Sequence, residues 1–200
     1  VLKPPCGSIA FDPYHGNMTV AVSHVTLTGL FMRQSFIISL VCIFLVGCAS
    51  GANQEAMVPI ALSADGANPK FTRSINVQSV GGGQATNPLW TSQISSGAFK
   101  TSLENALKAR GYLDTGGPQQ LTATLLDLKQ PFAGTDLTVT SKIRYQLTGQ
   151  NGEVLFDQTI SASYTAAFGD SLLAVERLRL ANEGSARTNV RMFIEALDRV

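Results

Sequence analysis

Between Leu137 and Leu147 the chain changes polarity at every step. Leu137, Val139, Ser141, Ile143, Tyr145 and Leu147 alternate with Thr138, Thr140, Lys142, Arg144 and Gln146. A period of two sends successive side chains to opposite faces, so this stretch specifies a strand with one dry and one wet side and excludes a helix. Asn151-Gly152, a pair that tolerates positive φ, then supplies a tight hairpin, and Val154, Phe156, Gln158, Ile160, Ala162 and Tyr164 carry the returning strand. Upstream, Leu121, Ala123, Leu125 and Asp127 form one alternating set with Leu126 and Leu128 on the other, and Pro131 to Gly134 reads as a loop. A sheet that is dry on one side has to be covered.

Two segments have the period to cover it. From Trp90 to Gly111, Ile94, Phe99, Leu103, Ala106, Leu107 and Arg110 recur at mostly three- and four-residue steps, with Ser95 or Ser96 to cap the start and Gly111 to close the end. From Ser171 to Leu197, Val175, Leu178, Ala181, Ala186, Val190, Phe193 and Leu197 trace a second apolar stripe, capped by Asp170 or Ser171. Gly184 sits inside it and is expected to kink the helix or weaken it, since glycine costs roughly 1 kcal/mol there relative to alanine. A strand over Phe71 to Val80 precedes both and ends at Gly81-Gly82-Gly83. Those glycines lack the Gly-Lys-Ser/Thr and immediate helix of a phosphate loop, so a flexible loop is expected. The sum is an α+β domain over residues 71–200, with a mostly antiparallel sheet of about four strands under two helices in two layers.

The residues ahead of this domain are of three kinds. From Met32 to Gly47 a basic start leads into the apolar run Phe36 to Val46, which is shorter than the roughly 20 residues a membrane-spanning helix needs. It has the length of a signal-peptide core. Leu45-Val46-Gly47-Cys48 closes it with an apolar residue, a small residue and a cysteine, the pattern of a lipobox. Residues 32–47 are therefore expected to be a lipoprotein signal peptide, with lipid attached at Cys48. A signal works from an N-terminus, so translation is expected to begin at Met32, leaving residues 1–31 as over-called upstream sequence. Residues 48–70 are mostly small and polar, broken by Met57-Val58-Pro59-Ile60-Ala61-Leu62, and are expected to form a flexible tether with that patch docking as an edge strand.

From Cys48 onward the chain holds thirteen Lys+Arg (fifteen less Lys3 and Arg33) and thirteen Asp+Glu (fourteen less Asp12), which gives no electrostatic footprint for nucleic acid or anionic lipid. It has no histidine and no cysteine after Cys48, which excludes a disulfide framework, a Cys/His metal site and a His-dependent catalytic pair; no metal or other cofactor is expected. Paired carboxylates are the remaining catalytic candidates: Asp127 with Asp136 across a loop, and Glu176 with Glu183 on one helix. The plainer reading, solvated surface charge, is preferred. Arg177, Arg179, Arg187 and Arg191 could form an anion-binding strip. Glu183 four before Arg187 and Glu195 four after Arg191 favour ordinary helix ion pairs instead. Trp90 is expected to pack a loop on the core rather than anchor a partner.

The stretch Leu103-Glu104-Asn105-Ala106-Leu107-Lys108-Ala109-Arg110-Gly111-Tyr112, the Gly117-Pro118 turn, Gly149-Gln150-Asn151-Gly152 and Ala162-Ser163-Tyr164 together resemble the YajG-type family of small lipoproteins of Gram-negative bacteria, over about residues 102–197. No catalytic motif comes with that family. The resemblance and the lipobox imply a diacylglyceryl group and a further acyl chain on Cys48, and a non-enzymatic lipoprotein that faces the periplasm and binds another envelope protein. Ala49 in place of aspartate after the cysteine implies, by enteric-type sorting, the outer membrane. An accessory lipoprotein of a lipid or lipopolysaccharide transporter, with an apolar groove, is the alternative, and a carboxylate-dependent hydrolase is third.

Overall fold

The strict alternation around Ile143 is a strand, and its neighbours follow from it. In a computed structural model, which describes residues 49–87 and 91–200, four strands and two α-helices occur in the order β1 (Ile75–Gly81), α1 (Ser96–Arg110), β2 (Gln119–Lys129), β3 (Leu137–Thr148), β4 (Val154–Ala166) and α2 (Ala174–Leu197). The sheet order is β1-β2-β3-β4. β2, β3 and β4 form an antiparallel meander, while β1 lies parallel to β2, with α1 in the connection between them. The expected α+β architecture is present. The signal segment, Cys48, residues 1–31 and Trp90 lie outside the described residues.

One sheet face is dry because its side chains meet both helices. Ile75, Val77, Leu121, Ala123, Ile143, Tyr145, Leu147 and Phe156 join Phe99, Leu103 and Leu107 of α1 and Val190, Phe193 and Leu197 of α2 in one core. The ring of Tyr145 stacks on Phe193, 4.1 Å between centroids. Ser141, which falls in the dry set, is satisfied there: its hydroxyl donates to the Ser185 carbonyl at 3.2 Å. Asn189 accepts from the Tyr145 hydroxyl at 2.9 Å and donates to the Ile160 carbonyl at 2.9 Å. The opposite face is polar, and its hydroxyls pair across strands, Thr138 with Thr165 and Thr140 with Ser163, each at 2.8 Å.

Four local expectations are corrected. Asp127 leaves the set of Leu121, Ala123 and Leu125, because a bulge at Leu126 shifts the register by one. Beyond it Asp127 stands opposite Lys142 on the wet face and Leu128 opposite Ser141 on the dry one. Gly82 and Gly83 are not a slack loop. A Cβ on Gly82 would come within 2.0 Å of the Leu125 carbonyl oxygen, and one on Gly83 within 2.2 Å of the Ser96 amide, so the backbone of this turn is wedged between β2 and the start of α1. α2 runs unbroken through Gly184, where the glycine makes room for the ring of Tyr164, 2.2 Å from where a Cβ would sit. Finally, α2 begins at Ala174 with no side-chain cap. Asp170 and Ser171 are spent earlier, on the amides of Ala167 and Leu173.

The tether expected over residues 48–70 is instead, across its described part, a packed strap. Met57 is fully buried and Ala52 nearly so, and both belong to the main core. The patch around Met57 docks through turns, not as an edge strand. Composition concealed this because the strap is held mainly by its backbone, whose partners lie far along the chain.

Candidate functional site

The strap meets the domain along a seam, where two of the charged residues singled out above, Glu183 and Arg187, are used. The Ala52 amide donates to the Gln93 carbonyl at 3.1 Å. The next amide, of Asn53, donates to Glu183 Oε1 at 2.8 Å. Arg187 Nη1 donates to the Ala56 carbonyl at 2.9 Å, and its guanidinium lies 5.6 Å from the centre of the Tyr164 ring. Farther on, Arg110 Nη1 donates to the carbonyls of Ser63 and Asp65 and Nη2 to that of Gly66, each at 2.6 Å.

Arg110, Tyr112 and Asp198 form the hub of this seam. Arg110 reaches Asp198 through Nε and Nη2, and the Tyr112 hydroxyl donates to the same carboxylate while accepting from the Asn68 amide at 2.6 Å. Gly111, at φ 81°, lets α1 end and turns Tyr112 into the core, where it is fully buried. The Arg110-Gly111-Tyr112 triplet is therefore a latch that joins α1, the strap and the end of α2. Burial pushes the Tyr112 hydroxyl above its ordinary value, and its bond to Asp198 adds to that rise. Desolvation opposes the charge on Arg110, but Asp198 outweighs it and holds the guanidinium above its usual value.

The acidic candidates do not form a catalytic pair. Asp136 accepts from the Phe168 amide at 2.9 Å, and Asp127 is opposite Lys142. The six residues from Asp136 to Lys142 span about 20 Å of extended chain. Carboxylates that share a glycosidic bond stand at most about 9.5 Å apart. Glu176 and Glu183 do converge, but on Arg179, which donates to both. The bond to Glu176 is the main cause that raises the Arg179 guanidinium above its usual value. Glu183 is 3% exposed and faces the strap, not a cleft.

The arginine strip is likewise dispersed. Arg177 is buried, donates to the Ser171 carbonyl at 2.6 Å and lies 5.1 Å from the centre of the Phe168 ring. Arg179 holds the two glutamates and Arg187 the strap. Arg191 pairs with Glu195 at 2.7 Å as expected, whereas Glu183 pairs with Arg179 rather than with Arg187. Among the described residues no group of His, Cys, Asp and Glu is placed to hold a metal ion. No helix among them is long and apolar enough to cross a membrane.

Sequence reasoning missed one surface. Where the β2–β3 loop meets the start of α2, Pro131, Phe132, Ala133, Gly134, Leu137, Ala174, Val175 and Leu178 line an apolar cleft of about 270 Å³. Around it Phe132 is fully exposed, Leu172 is 81% exposed and Leu173 60%, with Phe168 half exposed. The available signal was the presence of large apolar residues in segments rich in glycine and proline, where no periodicity draws attention to them. A second cleft, about 140 Å³ and polar, lies beside Gly82, Gln84, Gln93 and Asp127.

No family model matches the chain, and no curated protein does. Solved structures similar to the chain include a protein of family DUF330 and two lipoproteins. Protein XCC0632 of Xanthomonas campestris, from family DUF330, is 12% identical with a TM-score of 0.45, covering 64% of this chain and 87% of its own. A minor lipoprotein of Acinetobacter baumannii is 13% identical with a TM-score of 0.33, covering 49% of this chain and 84% of its own. Lipoprotein GNA1162 of Neisseria meningitidis is 15% identical with a TM-score of 0.27, covering 48% of this chain and 70% of its own.

Proposed function

We propose that the chain is the precursor of a lipoprotein that is cleaved before Cys48, acylated there, held at the outer membrane facing the periplasm, and engaged in binding another envelope protein without catalysis. One observation carries the anchor: the apolar run Phe36 to Val46 ends in Leu45-Val46-Gly47-Cys48, and no other cysteine follows. Diacylglyceryl on the thiol and an acyl chain on the freed amine make a stable anchor, at roughly 0.8 kcal/mol per buried CH₂. The YajG-type resemblance supports the same reading. Its most specific stretch, Arg110-Gly111-Tyr112, forms the latch described above. The dispersal of the carboxylates onto backbone amides and arginines favours a binding role over hydrolysis.

The test of the anchor is metabolic labelling with an alkyne analogue of palmitate in a Gram-negative host. The native chain incorporates label and fractionates with outer membranes, and Cys48→Ser does neither. A Cys48→Ser chain that still took up label would overturn the reading. Cross-linking in intact cells tests the partner, and recovery of no envelope protein would remove that part. The alternative, an accessory lipoprotein of a lipid transporter, is favoured by the apolar cleft beside Phe132. At about 270 Å³ that cleft lies just below the usual range for ligand pockets.

A further inference from the structure

The exposed apolar residues of the β2–β3 loop and the β4–α2 connection gather at one place. The cleft walls come from Pro131–Gly134 on one side and Ala174–Leu178 on the other, and the Phe168 amide is tied to Asp136 across the same end. Large apolar side chains at full exposure oppose solubility unless they meet something. Two exposed acids stand nearby, each holding a backbone amide: Asp136 accepts from the Phe168 amide and Asp170 from the Ala167 amide. Phe132, Phe168, Leu172 and Leu173 form an exposed apolar crown, with Asp136 and Asp170 beside it bonded to backbone amides.

The place where the chain enters the domain says what this crown meets. Ala52 is fixed to Gln93, and the carbonyl of the adjacent Ser92 accepts from Gln130 at 2.9 Å and from Asn182 at 3.0 Å. Gln130 is two residues before Phe132, and Asn182 is eight residues, about 12 Å of helix, beyond the start of α2. Cys48 is four residues before Ala52, which limits its distance to about 14 Å. The strap leaves no long leash between the cysteine and the end of the domain that bears the crown.

We infer that Phe132, Phe168, Leu172 and Leu173 insert into the interfacial layer of the bilayer to which Cys48 is anchored, so that the domain stands on the membrane in one fixed orientation. The inference rests on the lipidated cysteine proposed above. Phenylalanine and leucine at loop tips favour the boundary between headgroups and acyl chains. The Asn151-Gly152 hairpin, at the far end of β3 and β4 from this crown, then points away from the membrane.

The full lipidated protein, purified from membranes and reconstituted in vesicles of phosphatidylethanolamine and phosphatidylglycerol, supplies the test. Acylation blocks Cys48, so an environment-sensitive thiol dye can be placed through Phe132→Cys, Leu172→Cys or Asn151→Cys, one at a time. Because all three positions are exposed, the fold is retained. Dye at 132 and 172 should shift to the blue and lose most of its emission when brominated lipid is included, while dye at 151 changes in neither respect. Protein that floats with the vesicles yet shows equal, unquenched emission at all three positions overturns the inference alone. Protein that fails to float overturns the anchor and this inference with it. A blue shift at 132 and 172 without bromolipid quenching marks burial against a second copy of the chain and also overturns it.

Discussion

Arg110 donates through Nε and Nη2 to the carboxylate of Asp198, 3.2 and 2.8 Å away, across 88 positions of the chain. The same guanidinium closes on three strap carbonyls, so one planar fork joins three segments. Its side chain is only 12% exposed. Arg110→Ala leaves Asp198 and those carbonyls short of partners and should cost about 2–4 kcal/mol in chemical denaturation. Arg110→Lys should recover little, because an ammonium cannot span the set. A lysine variant as stable as the native chain would show that the fork is not what holds the seam.

Gly184 offers a test in which helix propensity and packing point in opposite directions. Alanine is the better helix former by about 1 kcal/mol, so an unconstrained site would gain. Here the added methyl meets the Tyr164 ring, and Gly184→Ala should lose about 1–3 kcal/mol as in other overpacked cores. Combining it with Tyr164→Ala should turn the glycine replacement neutral or favourable. A stabilising Gly184→Ala in the native background would refute the close-approach reading.

Met57 and Ile60 lie three residues apart in the strap, and their exposures are 0% and 85%. Met57→Ala should cost about 2–5 kcal/mol, as for other core truncations. Ile60→Ala should stay within about 0.5 kcal/mol. Equal, small effects at both positions would restore the free tether that composition implied.

Burial raises the Tyr145 hydroxyl well above its ordinary 10.0, and burial with the Asp198 bond raises Tyr112 in the same direction. In both cases the folded state holds its proton more tightly than the unfolded chain. Their contribution to stability is therefore complete below pH 10.0 and is lost as the pH climbs from there through the raised folded-state values. Urea midpoints measured against pH should be level up to that point and then fall, less steeply in Tyr112→Phe. Normal titration of both phenols in a chain that keeps its circular dichroism would contradict this.

The meander was legible because its information is local: alternation names the faces of β3, and Asn151-Gly152 names the turn. The strap was not legible, since its amides and carbonyls bond to Gln93, Arg110, Glu183 and Arg187, and composition carries no trace of such partners. The bulge at Leu126 was hidden for a similar reason, because Asp127 continues the alternation on paper and only the pairing with Lys142 reveals the slip. Gly184 was seen but misread: a glycine's propensity belongs to the sequence, whereas the ring beside it belongs to the fold. Arg110-Gly111-Tyr112 was noticed as a shared pattern and only the geometry explains why the three residues occur together.

The seam also dictates an order of events. The Asn53 amide waits for Glu183, 130 positions later, and Asn68 waits for the Leu197 carbonyl, 129 positions later. A chain emerging from its N-terminal side can build the hairpins of β2, β3 and β4 as they appear, because those contacts are short-range. The strap residues come out among the first of the domain and find their partners only after α2 is made. Closure of the seam thus reports that the chain has been read through to α2, and a product truncated within the sheet would leave the strap without the helix it closes on.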